Sequence, residues 1–359
     1  MIDPGGTLGI VGGGQLGRMI ALAAARYGLA THVYSPEPDS PAFAVARRHT
    51  RRAYDDEAAL IAFADAVDVI TYEFENVPRR TAEILGARKP LRPGVEALAT
   101  TQDRFAEKSF VAGLGIATAP FRAVGGEADL ADALAEIGRP AVLKTRRFGY
   151  DGKGQVMIRP ETAAADAWRT LRGAPCILEG FVAFEREVSV VAARTADGGF
   201  AAYDLCDNSH RDHILDVTRV PAGVSSDTER EAIAITEKIA EALDYVGVLA
   251  VEMFVVRDGG EEAVVVNEIA PRVHNSGHWT IEGAVTSQFE QHVRAVCGWP
   301  LGSPERLGRI EMQNLIGHAA DGWRELLARR DTHVHLYAKA EARPGRKMGH
   351  LTRVRPERS

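Results

Sequence analysis

The sequence has few cysteines, no long apolar run and no excess of positive charge. Its 359 residues include three cysteines, and this odd number, scattered over a long chain, predicts reduced thiols rather than a disulfide framework. A run of about 18 apolar residues, which a membrane-spanning helix needs, is missing, and the first residues lack the basic and apolar regions of a secretory signal. The net charge of −6 gives no general reason to bind nucleic acid. We therefore expect a cytoplasmic enzyme with neither a membrane nor a nucleic acid as partner.

Positive charge is concentrated near the C-terminus. Residues 329–359 contain nine Lys or Arg and three acidic residues. Within this stretch, residues 343–350 contain Pro and Gly in a pattern typical of a turn, from which cations would leave in a fixed direction. A solvated basic face and a contact with an anionic substrate are both open at this point.

Alternating strands and helices are predicted for the first 100 residues. Short apolar runs at 8–11, 30–34 and 67–72 have the pattern of strands, and residues 15–27 have that of a helix. Strands separated by helices predict a parallel sheet with crossover connections. The length, at about 150 residues per domain, predicts two or three domains in total.

The pattern changes after residue 140. Two β-rich runs, 141–145 and 155–158, enclose a loop rich in glycine and cationic residues, which is suited to lie over an anion. Further strands or helices are predicted at 187–194, 200–205, 227–243, 248–256, 263–269 and 332–338.

A glycine loop, Gly12-x-Gly14-x-x-Gly17, follows the first predicted strand and opens a helix. This is the context of a dinucleotide-binding fingerprint, with Glu37 as the acidic residue that follows the second strand, so an NAD-dependent oxidoreductase is one hypothesis. The glycine loop by itself does not select a dinucleotide, because a helix N-terminus offers free N–H groups to any phosphorylated ligand. The motif also leaves residues 140–275 unexplained.

A second set of residues is typical of a nucleotide triphosphate site. Lys144 ends the apolar strand AVLK, and the loop at 149–155 can donate successive backbone N–H groups, although the order of residues is not that of a Walker loop. Glu252 and Glu268 lie within strongly apolar strands, where a carboxylate is costly unless it is paired or bound to a cation. Two such acids on one hairpin favour magnesium, and pairing with a core arginine such as Arg272 is the alternative.

Seven segments together resemble a known enzyme family. They are GGGQLGRM at 12–19, YEFENV at 72–77, QDR at 102–104, KTRRFGYDGKGQ at 144–155, NSHRDHIL at 208–215, NEIAPRVHNSGHWTIE at 267–282 and HLYAKAEARPGRKMGHL at 335–351. The strand lysine, the glycine-rich loop and the paired acids resemble the ATP-grasp superfamily. Within it, the chain resembles the 5-(carboxyamino)imidazole ribonucleotide synthases of purine biosynthesis.

The resemblance, which runs from residue 8 to about 353, implies an α/β (α+β) architecture. A Rossmann-like pre-ATP-grasp domain would occupy 1–100, and a small β-rich C-terminal domain would occupy 297–359. Between them, the ATP-grasp domain at 101–296 would carry a mobile lid at about 115–180. Members of this family are commonly homodimers, so the resemblance also implies a second copy of the chain as partner.

The resemblance further implies which residues bind ATP and its metal. One or two magnesium ions would be bound by Glu252 and Glu268, the number being open because Ala270 stands where many ATP-grasp enzymes have Asn. The implied ATP contacts are Arg104, Lys144, Gly149, Tyr150, Asp151, Gly152, Lys153, Gly154, Gln155, Glu179, Gly180, Phe181, Val182, Glu187, His210, Asn267 and Glu268.

The remaining implied residues concern the ribonucleotide and bicarbonate. The ribonucleotide would be bound by Gly14, Gln15, Leu16, Glu73, Tyr150, Lys339 and Arg346. The implied catalytic residues are Asp151, Lys153, Arg272, His274 and Asn275. An arginine in this group suits a planar oxyanion such as bicarbonate or carboxyphosphate, since its guanidinium can donate two parallel hydrogen bonds.

The implied activity is carboxylation of 5-aminoimidazole ribonucleotide by bicarbonate, with ATP converted to ADP and phosphate through carboxyphosphate. Two alternatives stay open. Another ATP-grasp ligase, such as the formate-dependent glycinamide ribonucleotide transformylase, would share the ATP site and differ in its acceptor. An NAD-dependent oxidoreductase would use the first glycine loop and leave the second unexplained.

Overall fold

Short parallel strands joined by helices form the N-terminal part of the chain, as predicted. The computed structural model describes residues 1–149 and 152–356, so Tyr150 and Asp151 lie outside the described residues. The N-terminal sheet has the order β3–β2–β1–β4, and its neighbouring strands are parallel. Its elements are β1 (Thr7–Val11), α1 (Gln15–Arg26), β2 (Ala30–Tyr34), β3 (Arg48–Thr50), α2 (Glu57–Asp65), β4 (Val69–Tyr72), α3 (Arg79–Gly86) and α4 (Val95–Thr101).

Helix α5 (Arg104–Gly113) leads out of the N-terminal part. Its N-cap is Asp103, whose Oδ1 accepts hydrogen bonds from the backbone N–H groups of Phe105 (3.0 Å) and Ala106 (3.3 Å). A carboxylate at this position satisfies N–H groups that have no partner within the helix.

A second sheet follows, with the order β5–β8–β6–β7 and antiparallel neighbours. The predicted hairpin at 141–158 is confirmed, since β6 pairs with β7 from Ala141–Ile158 to Lys144–Gln155. We call this unit the lid sheet. Its elements are β5 (Phe121–Val124), α6 (Glu127–Ile137), β6 (Ala141–Thr145), β7 (Gln155–Ile158), α7 (Ala164–Thr170) and β8 (Cys176–Gly180).

The third and largest sheet has the order β14–β13–β9–β11–β12–β15–β17–β16, with β10 also paired to β9. Its strands are β9 (Arg186–Arg194), β10 (Phe200–Ala202), β11 (Cys206–Arg211), β12 (Ile214–Val220), β13 (Gly247–Asp258), β14 (Glu261–Ala270), β15 (Arg309–Ile316), β16 (His333–Leu336) and β17 (Lys347–Arg355). Its helices are α8 (Ser226–Ala242), α9 (Thr280–Gly283), α10 (Gln288–Cys297) and α11 (Trp323–Leu327). The strand predicted at 200–205 ends at Ala202, and a separate strand begins at Cys206.

The C-terminal strands continue this large sheet. Strand β15 pairs with β12 from Val217–Gln313 to Val220–Ile310, and β17 then pairs with β15. The last part of the chain is therefore β-rich, as expected, but its strands share one hydrogen-bonded sheet with β9–β14 across the proposed boundary at 297. No described helix is long and apolar enough to cross a bilayer.

The N-terminal part packs on the large sheet through a common core. Leu16 and Ile20 of α1, Val248 of β13 and Phe289 of α10 belong to one cluster of buried apolar side chains. His292 of α10 connects the two units by hydrogen bonds and is fully buried. Its Nδ1 accepts from the Val248 backbone N–H (3.0 Å), so the proton is on Nε2, which lies 2.8 Å from Thr71 Oγ1 in β4.

We expect stability to fall on acidification, in part through His292. Burial lowers its pKa from 6.5 to about 3, so the unfolded chain binds one more proton between these values, and the free energy of unfolding decreases as the pH falls. Protonation at Nδ1 would also break the hydrogen bond from Val248. Urea unfolding at pH 7, 6 and 5 measures this dependence. In His292→Gln the slope between pH 6 and 5 should be smaller by about 1.4 kcal/mol per pH unit.

The matched control is His333→Gln, because His333 is an exposed histidine of β16. This control should keep the pH dependence of the unmodified protein. Equal slopes for His292→Gln and the unmodified protein would contradict the role of His292.

Candidate active site

Two acidic residues lie opposite each other at one position of the β13–β14 hairpin. Glu252 is the register partner of Glu268, and the next pair is Met253 with Val266, so Asn267 is an extra residue in β14. Such a β-bulge breaks the alternation of side chains and re-aims the residues beside it. The sequence predicted both acids on adjacent strands, but it carried no signal for the bulge.

Each carboxylate has a nitrogen partner from a different element. Arg104 Nη1 at the start of α5 donates to Glu268 Oε2 (2.8 Å). His274 Nε2 lies 2.9 Å from Glu252 Oε1. Because His274 Nδ1 accepts from the Ser276 backbone N–H (3.3 Å), Nε2 carries the proton and donates to Glu252. The alternative of pairing with a core arginine therefore applies to Glu268, but the partner is Arg104 and not Arg272, whose Nε donates to Glu75 Oε2.

Nearby cations keep the partly exposed carboxyl group of Glu268 ionised. Burial acts to raise its pKa, but the charge and hydrogen bond of Arg104, with Lys144 and His274, lower it to about 2. Glu107, one turn along α5, shows the opposite result, because burial and the charge of Glu268 raise its pKa to about 8. The two neighbouring groups therefore differ, since Glu268 favours its charged form and Glu107 favours its protonated form.

A second buried ion cluster lies at the lid sheet. Lys144 Nζ donates to Glu179 Oε2 (2.9 Å), and Lys108 Nζ lies 3.6 Å from the same oxygen. Lys108 is 2% exposed and also donates to the Val266 carbonyl oxygen (3.1 Å). Burial opposes ionisation of Glu179, but the two lysines outweigh it and lower its pKa. Its Oε1 is buried without a hydrogen-bond partner.

The predicted glycine-rich loop begins beside Arg104. Arg104 Nη2 donates to the Gly149 carbonyl oxygen (3.2 Å), and the Thr145 backbone N–H donates to that of Gly154 (2.8 Å). Gly154 has a φ of +72°, and a Cβ there would lie 2.5 Å from Thr145 Oγ1, so this position requires glycine. Gly152 also has positive φ, and Gln155 starts β7.

The segment from Glu179 to Val182 and the pair Glu187–His210 were the remaining predicted nucleotide contacts. The backbone N–H groups of Gly180 and Phe181 donate to the carbonyl oxygens of Pro120 (2.8 Å) and Pro140 (3.2 Å), so they are not donors for a base. His210 Nδ1 lies 2.7 Å from Glu187 Oε2. Although burial opposes the charged imidazolium, Glu187 raises the pKa of His210.

The carboxylate of Glu73, which follows β4, binds the first glycine loop. Glu73 Oε1 accepts from the Gly14 backbone N–H (2.7 Å), and Glu73 Oε2 accepts from that of Gly17 (3.0 Å). Glu73 therefore occupies part of the N-terminus of α1, which sequence reasoning had reserved for a phosphate. Gly14, Gln15 and Leu16 were predicted to bind this phosphate. The Gly14 N–H donates to Glu73 instead, so the prediction is reduced to the N–H groups of Gln15 and Leu16.

The other predicted residues lie in the loop after β14 and in the turn before β17. Asn275 exchanges hydrogen bonds with the Asn314 side chain of β15 (2.9 and 2.8 Å), which ties the loop after β14 to the C-terminal strands. Lys339 Nζ donates to the Lys347 carbonyl oxygen (2.6 Å), and Arg346 Nη1 donates to that of Glu341 (2.8 Å). The predicted turn near residue 345 is thus held by its own cations.

Sequence reasoning missed the partners of the predicted residues. Lys108 follows Arg104 by four positions in a helix, and this spacing was a usable signal because residues i and i+4 lie on one face. Glu75 follows Glu73 within YEFENV, but nothing in the sequence connects it with Arg272, 197 residues away.

We expect Lys108→Met to destabilise the protein by about 1–3 kcal/mol, because the Val266 carbonyl loses a buried donor and Glu179 loses one of its cations. Lys238→Met is the matched control, since the Lys238 ammonium also donates to a carbonyl, that of Leu114 (2.7 Å), but at an exposed position. Urea unfolding should place the control within about 0.5 kcal/mol of the unmodified protein. Equal losses in both variants would contradict the buried cluster.

Three family profiles match successive parts of the chain. The ribonucleotide synthetase preATP-grasp domain matches residues 6–102, the ATP-grasp domain matches 109–289, and the phosphoribosylaminoimidazole carboxylase C-terminal domain matches 311–359. An N5-carboxyaminoimidazole ribonucleotide synthase of Brucella melitensis is 51% identical over 357 residues, covering 99% of this chain and 98% of that protein.

Solved structures agree with these matches. An N5-carboxyaminoimidazole ribonucleotide synthetase in complex with ADP has a TM-score of 0.94 at 42% identity, covering 99% of this chain and 94% of that chain. The synthase of Aspergillus clavatus in complex with ADP and 5-aminoimidazole ribonucleotide has a TM-score of 0.90 at 30% identity, covering 98% and 94%. The predicted fold class is confirmed, and the chain belongs to the N5-carboxyaminoimidazole ribonucleotide synthases of the ATP-grasp superfamily.

Proposed function

We propose that this ATP-dependent ligase uses bicarbonate to carboxylate 5-aminoimidazole ribonucleotide, giving 5-carboxyaminoimidazole ribonucleotide, ADP and phosphate in purine biosynthesis. The observation that carries the proposal is the pair Glu252–Glu268, with Arg104 bound to Glu268 and to the glycine-rich loop. Cations and carboxylates in this arrangement suit a magnesium nucleotide. The names of the relatives support the same substrate.

Magnesium fits the residues present. Asn267 Oδ1 is buried without a hydrogen-bond partner beside Glu268, and an amide oxygen is a ligand that this hard cation accepts. Within residues 1–149 and 152–356, no group of three His, Cys, Asp or Glu side chains forms a metal site by itself. Glu252, Glu268 and Asn267 would therefore bind one or two ions jointly with phosphate oxygens. The ions would neutralise charge on the transferring phosphoryl group.

In the first step, a bicarbonate oxygen attacks the γ-phosphorus of ATP, the bond to ADP breaks and carboxyphosphate forms. Arg104 and Lys144 neutralise the phosphates, and the loop at 149–155, with Lys153, covers them. Arg272 is suited to the oxyanion because its guanidinium is held in place by Glu75, which accepts from Nε, and by the Val273 carbonyl oxygen, which accepts from Nη1 (3.2 Å). His274 and Asn275 would border the same pocket.

The nucleoside part of ATP would lie between the two sheets. Glu179, Gly180, Phe181 and Val182 would border the base, with the carbonyl oxygens and the unpartnered Glu179 Oε1 as acceptors for an exocyclic amine. Glu187, held by His210, would accept from the ribose hydroxyl groups.

In the second step, the substrate amine attacks the carboxyl carbon of carboxyphosphate, and the released phosphate can take the amine proton. The ribonucleotide phosphate would bind the N–H groups of Gln15 and Leu16, with Lys339 and Arg346 as cations. Glu73 would approach the ribose while it holds Gly14. Tyr150 would also bind the ribonucleotide and Asp151 would act in catalysis; both lie outside the described residues.

Two further proposals, a homodimer and a cytoplasmic location, are supported by the family resemblance. The alternatives are less favoured. An NAD-dependent oxidoreductase would leave the Glu252–Glu268 pair and the glycine-rich loop at 149–155 without a role. For a formate-dependent transformylase, the matched family names a different acceptor.

Phosphate release from Mg-ATP by the purified protein tests the activity. We expect release that requires 5-aminoimidazole ribonucleotide, is stimulated by bicarbonate and is not supported by formate or by glycinamide ribonucleotide. ATP turnover without this dependence would keep the ATP site and reassign the substrate. The absence of ATP turnover with every combination of substrates would overturn the proposal.

We expect Glu268→Gln to lower turnover by about 10²-fold or more, because it removes a charge aimed at the metal and the transferring phosphoryl group. Glu261→Gln is the matched control, with the same substitution at an exposed position of the same strand. The control should retain full turnover. Near-normal turnover in a folded Glu268→Gln variant would contradict the metal assignment.

A further inference from the structure

Gln102 uses its whole side-chain amide to join two parts of the proposed site. It lies between α4 and α5 and is 6% exposed. Its Nε2 donates to the main-chain carbonyl oxygens of Glu75 (2.9 Å) and Val77 (2.5 Å). Its Oε1 accepts from Arg147 Nη2 (2.8 Å). A planar amide with both donors and its acceptor engaged fixes the distance between these partners.

The first end of this connection is the segment after β4, residues 73–77. Glu73 in this segment holds the N-terminus of α1, where the ribonucleotide is proposed to bind. Glu75 holds Arg272, which is proposed to bind bicarbonate. A shift in the main chain at Glu75 would therefore move both groups.

The second end is the start of the glycine-rich loop at 149–155, which we call the ATP loop. Arg147 lies two residues before Gly149, and the neighbours of Gln102 contact the same stretch. Asp103 accepts two hydrogen bonds from Arg146, at 2.7 Å from Nη2 and 3.0 Å from Nε. Arg104 donates to the Gly149 carbonyl oxygen (3.2 Å). A displacement of the loop where it leaves β6 would therefore pull on Gln102, Asp103 and Arg104, which are consecutive in the chain.

We propose that Gln102 is a positioning residue that couples nucleotide binding at the ATP loop to ribonucleotide binding beside Glu73. The inference rests on the proposed function for the identity of the two ligands. Because the Gln102 side chain is buried and both ends of its amide are hydrogen-bonded, a shift at one end is transmitted to the other. The coupling is reciprocal, so each ligand tightens the binding of the other by the same factor.

A residue that only stabilised the fold would give a different result. The quantity that separates the two cases is the coupling ratio, the affinity for ADP with 5-aminoimidazole ribonucleotide present divided by the affinity without it. Loss of a residue that only stabilises the fold would weaken the fold, or the binding of each ligand measured alone, and leave this ratio unchanged. Loss of a coupling residue changes the ratio.

Titration calorimetry with ADP, in the presence and absence of saturating 5-aminoimidazole ribonucleotide, measures this ratio. In the unmodified protein we expect at least about fivefold tighter ADP binding with the ribonucleotide present. In Gln102→Met and in Arg147→Met the ratio should fall to within about twofold of one, while the affinity for ADP alone changes by less than about threefold. The double variant should match the single variants, because both interrupt one connection.

Two design choices separate coupling from misfolding. Arg147 is exposed, so its replacement interrupts the connection without disturbing the core. Thr101→Val is the matched control at the neighbouring position, because the Thr101 hydroxyl donates to carbonyl oxygens of its own helix, those of Ala97 (3.0 Å) and Leu98 (3.3 Å). This control should keep the full ratio.

A ratio of one in the unmodified protein, or an unchanged ratio in both variants, would overturn the role of Gln102. Phosphate release measured in parallel separates this failure from failure of the proposed function. Release that still requires the ribonucleotide, with an unchanged ratio, overturns only the coupling. Absence of ribonucleotide-dependent release overturns the proposed function, on which the coupling rests.

Discussion

Two carboxylates lie directly opposite each other in an antiparallel pair, and the surrounding structure has to offset their repulsion. Like charges at Glu252 and Glu268 destabilise the strand pairing, and partial burial adds a desolvation cost. Arg104 and His274 reach one carboxylate each, from α5 and from the loop after β14. The position of α5 against the large sheet is therefore fixed by charge as well as by apolar packing.

The same helix also fixes the lid sheet. Arg104 and Lys108 lie one turn apart, so they leave α5 on the same face. Arg104 reaches Glu268 on the large sheet, while Lys108 reaches Glu179 on the lid sheet and Val266 on the large one. One helix face thus sets the distance between two sheets, and the ATP loop at 149–155 begins in the gap between them.

Local patterns predicted much of this structure. The alternation of the N-terminal strands and helices, the hairpin around the ATP loop and the Glu252–Glu268 pair follow from apolar periodicity and turn residues. Contacts between distant residues could not be predicted in this way. The Arg272–Glu75 pair, the capping of α1 by Glu73 and the continuation of one sheet through β15 depend on how elements meet in space, and no local propensity encodes that.

The proposed binding sites of the two nucleotides lie on different parts of the chain, and the segment 102–104 contacts both parts. Gln102, Asp103 and Arg104 contact Arg147, Arg146 and Gly149, respectively. A shift of the loop by about 1 Å would have to carry these side chains with it or break their hydrogen bonds, each worth about 1 kcal/mol and more for the charged pairs. A joint movement of the loop and these side chains costs less free energy than breaking the hydrogen bonds. Such a movement reaches α5 and the main chain at Glu75, because Asp103 caps α5 and Gln102 donates to the Glu75 carbonyl oxygen. The ATP loop and the proposed ribonucleotide site therefore move as parts of one hydrogen-bonded unit.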